Sequence, residues 1–175
     1  DSLVHPPLEV VFTTEEEVGM DGAMNLDTTD LQAAYLLNLD SEDEGVLTVG
    51  CAGGSTMELH RKYQKLPQTG IPYIIHVHGL KGGHSGVEIQ KKRCNSNKVM
   101  STILTALSEK LDIYLASVNG GSKHNAIPVE TKAVVLFRSE EDSRQAEQMI
   151  SQYQPLFASA YQDSDADILI EIQPC

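Results

Sequence analysis

Between residues 72 and 173 the chain alternates strand-like and helix-like segments in a fixed order, and that order limits the folds open to it. Tyr73–Gly79 alternates apolar and polar side chains with the two-residue period of a strand. Asn97–Leu111 places Met100, Ile103, Leu104, Leu107 and Leu111 three or four residues apart, one apolar helical stripe. Asp112–Val118 reads as a strand that ends at the turn signal Asn119-Gly120-Gly121, and Lys132–Arg138 as another. Ser139 is placed to N-cap a second helix, with Glu140, Glu141 and Asp142 in its first turn. Its stripe is Ala146, Met149, Ile150, Tyr153, Leu156 and Phe157, and Pro155 is expected to kink or split it. Asp167–Gln173 completes the set. The order β-α-β-β-α-β is the ferredoxin-like pattern, an antiparallel sheet with two helices on one face.

The preceding part reads differently. Leu8–Thr13, Ala34–Leu39 and Val46–Val49 are short apolar runs of strand type, with a short helix expected over Thr29–Ala34. Thr56–Gln64 is an extended connection or strand. Strands alternating with a short helix suggest the edge of an α/β sheet. The expected class is therefore α/β plus α+β, with a boundary near Gly53–Ser55 that separates residues 1–54 from 55–175.

Charge narrows the partners. Thirteen Lys and Arg against 25 Asp and Glu give a formal net charge of -12, which repels phosphate backbones and anionic lipid. Nucleic acid and membrane are not expected partners, and no apolar run approaches the roughly 20 residues that span a bilayer. Cys51, Cys94 and Cys175 are odd in number and widely spaced, so no disulfide framework is expected and a reducing cytoplasm is the default. Asp1–Pro7 has neither a basic stretch nor an apolar core, so no signal peptide is expected there.

The chemistry gathers at the ends of the first apolar runs. Thr14-Glu15-Glu16-Glu17 follows one of them and Asp40 closes another. Carboxylates at the carboxyl ends of parallel strands lie where α/β enzymes place their sites. Adjacent glutamates repel one another, a cost that a divalent cation removes, and a free carboxylate beside a metal serves as a general base. A lone acidic triplet would otherwise be a solvated turn.

The flanking residues favour the first reading. Glu16-Glu17-Val18-Gly19-Met20-Asp21-Gly22-Ala23 resembles the Glu-Glu-x-Gly-x-x-Gly-Ala motif of the dinuclear-zinc exopeptidases and deacylases. Asn38–Gly45 with Gly50–Gly54, then Gly79–Gly86, then Asn119–Gly121 through Asn125–Pro128 resemble further blocks of the Xaa-His dipeptidase branch, in the right order. The likeness runs from about Leu3 to Pro128, and less specifically to the end.

The resemblance implies a catalytic zinc-peptidase sheet followed by a ferredoxin-like lid that pairs two copies. It implies dipeptide hydrolysis with Glu16 as general base, and Glu17 and Asp40 as ligands of two zinc ions, for which manganese or cobalt are substitutes. His84 in Gly82-Gly83-His84-Ser85-Gly86 is implied to stabilise the oxyanion, in such enzymes often across a dimer interface, and Asn125 to contact substrate. His124 stands where the family carries arginine, so a partly charged imidazole replaces a fixed charge. Without the family, His84 would be a surface turn residue and Asn125 a turn residue before Ile127-Pro128.

His76 and His78 share a strand face. With no third ligand near them in sequence they are read as a surface pair, since zinc sites need three or four protein ligands. Cys51 is read as a small packed residue. The family also uses a His-x-Asp block and a histidine near the far C-terminus; here no His-x-Asp occurs and no histidine follows His124. The chain is thus expected to hold part of a site within a longer enzyme. Two other readings remain open at this point: a non-catalytic dimerisation or small-molecule-binding piece, and a deacylase of acyl-amino acids.

Overall fold

A computed structural model describes residues 3–40, 43–50, 53 and 55–175. The chain divides into two compact units, Asp1–Arg61 and Lys62–Cys175.

In the second unit the predicted order of elements is present. Strand β1 (Ile71–His78) leads through a short strand β2 (Gly83–His84) to helix α2 (Ser96–Lys110), numbered after the four-residue helix α1 (Asp21–Met24) of the first unit. Strands β3 (Ile113–Gly120), β4 (Ala126–Ile127) and β5 (Thr131–Phe137) follow, then helix α3 (Glu140–Ala160) and strand β6 (Leu169–Pro174). The main sheet is antiparallel with order β3-β5-β1-β6, and β2 pairs with β4 in a small second ladder. This mixed α/β arrangement puts β1 in the interior of the sheet and β6 at one edge.

One face of that sheet is the core. Ile75 and Val77 of β1, Ala133, Val135 and Phe137 of β5, and Ile170 of β6 pack against Val99, Met100, Ile103 and Leu107 of α2 and Ala146 and Ile150 of α3. Alternation along each strand sends the intervening side chains to the opposite face. The α2 stripe is buried largely as its spacing predicts; on α3, Leu156 departs and is exposed. Asn95 caps α2 by accepting from the N–H groups of Asn97 and Lys98, and Ser139 caps α3 by accepting from Asp142 N–H at 3.1 Å.

Pro155 does not split α3, which runs unbroken to Ala160. Its neighbour explains part of this. The Gln154 amide donates to the Ile168 carbonyl at 2.8 Å and accepts from the Ile170 N–H at 2.7 Å, pinning that turn to the chain entering β6.

Asp165 joins two loops from the inside. It is fully buried, and its carboxylate accepts from Lys81 N–H at 2.9 Å and Cys94 N–H at 2.7 Å. Burial pushes its carboxyl up, but those two N–H groups, the Ser164 hydroxyl and the Lys81 charge outweigh it and leave it below the ordinary value.

The first unit corrects the sequence reading. Among its described residues no strand forms at Leu8–Thr13, Ala34–Leu39 or Val46–Val49, and no helix over Thr29–Ala34. A strand exists only with a ladder partner, and these runs do not pair with one another. Phe12, Leu36 and Leu47 lie exposed instead. The expected helix gives way to a turn because Asp27 accepts from the N–H and hydroxyl of Thr29, at 2.9 and 2.7 Å. Glu9 does tie two of the segments together: its carboxylate accepts from Gln32 N–H at 3.0 Å and Ala33 N–H at 2.7 Å.

Candidate active site

The acidic motif of the first unit folds into a tight turn. Glu16–Val18 is a single 3-10 turn with Glu15 in the left-handed region, φ 61°. Glu15 carbonyl accepts from Met20 N–H at 2.8 Å, and α1 begins at once with Asp21. Gly22 is required here, since a Cβ on it would sit 2.5 Å from the Thr14 nitrogen. Glu16 and Glu17 therefore project from a constrained turn, and both are exposed. Asp40 is exposed as well, and its N–H meets the Asn38 side chain at 3.4 Å. Among the described residues Glu16, Glu17 and Asp40 do not gather with a third metal-ligating group.

In the second unit His84 and Asn125 line one groove of about 620 Å³, together with Lys81, Gly120, Gly121 and Glu130. The ladder that pairs His84 with Ala126 builds its wall, and Ser85 N–H donates to the Asn125 carbonyl at 2.8 Å. His124, although adjacent to Asn125, lines a different groove of about 530 Å³ with Ser85, Asn95, Asn97 and Pro128.

Two glycines make the His84 turn possible. Gly82 has φ 64° and a Cβ there would meet Val129 at 2.4 Å; Gly83 has φ 147° and a Cβ would meet the Glu88 carboxylate at 2.6 Å. That carboxylate accepts from His84 N–H at 2.9 Å and pairs with Lys91 and Arg93, and Arg93 in turn donates to the Gly82 carbonyl. The Lys91 bond, then the His84 N–H, hold the Glu88 carboxyl down at about 2.

The imidazole of His84 has a defined polarity. Its Nδ1 accepts from Gly86 N–H at 3.0 Å and Val87 N–H at 3.3 Å. A ring nitrogen that accepts carries no proton, so in the neutral ring the proton is on Nε2, which is left as a donor.

Behind Gly120, which lines both grooves, lies a small, partly buried polar network. Thr131 hydroxyl donates to Asn97 Oδ1 at 2.7 Å and accepts from the Ser96 hydroxyl at 2.8 Å. Gly120 crosses directly above it, where a Cβ would lie 2.2 Å from Asn97 Oδ1. The turn is legible in the sequence, but the contacts of Asn97, Thr131 and Glu88 are not; a glycine turn that must be threaded over a buried polar group leaves no mark in periodicity. Spacing pairs His76 with His78 on one strand face, and Glu171, remote in sequence, lies against them in space. Cys51 lies outside the described residues.

Residues 75–164, just over half of the chain, match the model of the peptidase dimerisation domain of M20 peptidases. The chain is 44% identical over 137 residues to the cytosol non-specific dipeptidase of Escherichia coli (strain K12), covering 77% of this chain and 28% of that one. It is similar in structure to aminoacylhistidine dipeptidase from Vibrio alginolyticus, with a TM-score of 0.70 and 35% identity over 93% of this chain and 34% of that one. The chain thus spans about a third of the length of the relatives it matches. No helix among the described residues is long and apolar enough to cross a membrane.

Proposed function

The chain belongs to the M20 peptidase family through its peptidase dimerisation domain, and from that membership we propose that it is part of a zinc-dependent dipeptidase acting on Xaa-His dipeptides. The observation that carries this reading is the orientation of His84, whose Nδ1 accepts from Gly86 N–H and so leaves Nε2 as the donor, in a residue that lines one groove with Asn125. The printed names of the two relatives, a dipeptidase and an aminoacylhistidine dipeptidase, support the substrate class.

We assign residues 1–54 to the catalytic domain and 55–175 to a ferredoxin-like lid through which two copies pair. Glu17 and Asp40 offer the carboxylate oxygens that zinc accepts, but two ligands are part of a set rather than a whole one. Zinc, when bound, supplies an activated water and polarises the scissile carbonyl; manganese and cobalt suit the same donors. Glu16 takes a proton from the attacking water and returns it to the leaving amine. His84 donates through Nε2 to the carbonyl oxygen as charge develops there. Asn125 and His124 contact the substrate. The cytosolic relative supports a cytoplasmic place of action.

The test is Glu16→Ala in the full-length enzyme. Turnover of an Xaa-His dipeptide falls by at least about 10²-fold while zinc content stays unchanged. Near-normal turnover would remove Glu16 from the mechanism, and faster cleavage of acyl-amino acids than of dipeptides would move the reading to a deacylase.

A further inference from the structure

We propose that the open face of the sheet in the second unit holds a divalent metal ion of the zinc class between His76, His78 and Glu171. The sheet itself assembles the three. His76 lies directly opposite Glu171 in the β1–β6 register, and His78 is two residues along the same strand. All three side chains therefore leave the face opposite Ile75, Val77 and Ile170, which are in the core. Their ligand atoms lie within 4.8 Å of one another.

The contacts leave room for an ion. His78 Nε2 is 3.0 Å from the Glu171 carboxylate, and the two imidazoles stack with centroids 4.2 Å apart and planes 24° from parallel. His76 Nε2 is buried and makes no hydrogen bond. It lies 3.4 Å from Glu130, without hydrogen-bond geometry, while Glu130 pairs with Lys132 at 3.3 Å. A buried ring nitrogen without a partner is costly, and a cation would satisfy it.

Ligand type selects the ion. Two imidazole nitrogens and one carboxylate oxygen form a three-ligand zinc set with an open fourth position, whereas calcium and magnesium take oxygen shells. Ligands at about 2.0–2.2 Å from a tetrahedral ion lie about 3.4 Å apart, so the widest separation must close by up to about 1.4 Å while the His78–Glu171 pair opens slightly. Side-chain torsions supply that movement while the interior strand β1 holds the backbone in place. Bound metal would link β1 to the edge strand β6.

The experiment adds zinc chloride to the full chain carrying Glu17→Gln and Asp40→Asn, which removes the carboxylates proposed as ligands in the first unit. Binding is read by calorimetry and by histidine side-chain nitrogen resonances. The expected result is one zinc, with the His76 and His78 resonances shifted and the melting temperature raised. His78→Ala and Glu171→Gln, added separately, each weaken binding by about tenfold or more; the second conserves volume on an exposed side chain and keeps the metal-free melting temperature. Unshifted His76 and His78 resonances, or equal affinity in the Glu171→Gln protein, would overturn the site.

Discussion

Gly86 donates its backbone N–H to Nδ1 of His84 at 3.0 Å, so a glycine two residues on leaves Nε2 as the donor nitrogen of the neutral ring. In the full-length enzyme His84→Ala is expected to lower kcat by about 10²–10³-fold, the loss seen when one oxyanion donor is removed. Zinc content measured beside it should not change. Loss of metal with unchanged activity per bound zinc would contradict the role.

Gly83 shapes the same turn from the other side. Its φ of 147° is a glycine conformation, and the Glu88 carboxylate occupies the space of a Cβ. Gly83→Ala should cost about 1–3 kcal/mol in chemical denaturation. It should also slow turnover by displacing His84. A stable variant with normal kinetics would show that the turn tolerates the change.

Asp165 predicts an acid-sensitive fold. Asp165→Ala leaves two N–H groups without acceptors and should cost about 1–3 kcal/mol. Its folded carboxyl lies below the ordinary value of 3.8, so the ionised form is favoured by folding. That contribution is complete above the unfolded value and fades as pH falls through the folded one. Denaturation from pH 6 down to about pH 2 should therefore show wild type losing more stability than Asp165→Asn. Parallel curves would rule the linkage out.

Cys94 should be chemically silent. It is buried, and burial, followed by the charge of Asp165, pushes its thiol up to about 11. In a protein carrying Cys51→Ser and Cys175→Ser, an aromatic disulfide reagent at about pH 8 should label Cys94 only after denaturant is added, because the thiolate is the reactive form. Rapid stoichiometric labelling of the native protein would show that the site opens.

The second unit was legible because its signals are local. Met100, Ile103 and Leu107 mark a helix face by spacing alone, and Ser139 followed by three acidic residues marks a helix start. The apolar runs at Leu8–Thr13 and Ala34–Leu39 carry an equally clear composition, yet a ladder needs a partner that composition does not name. Glu171 was invisible for a related reason: only the strand register brings it to His76. Asp165 was missed because a buried carboxylate is defined by the backbone groups around it, and those come from distant loops.

The amide of Gln154 acts on β6 as a short stretch of neighbouring strand would. It occupies the Ile168 carbonyl and the Ile170 N–H, two groups the sheet edge would otherwise offer to a passing chain. Intermolecular strand addition at β6 must first displace that side chain. At the other margin β3 is exposed from Leu115 onward and carries a bulge between Leu115 and Ser117. Self-templating is blunted at the β6 margin by a side chain and at the β3 margin by the bulge.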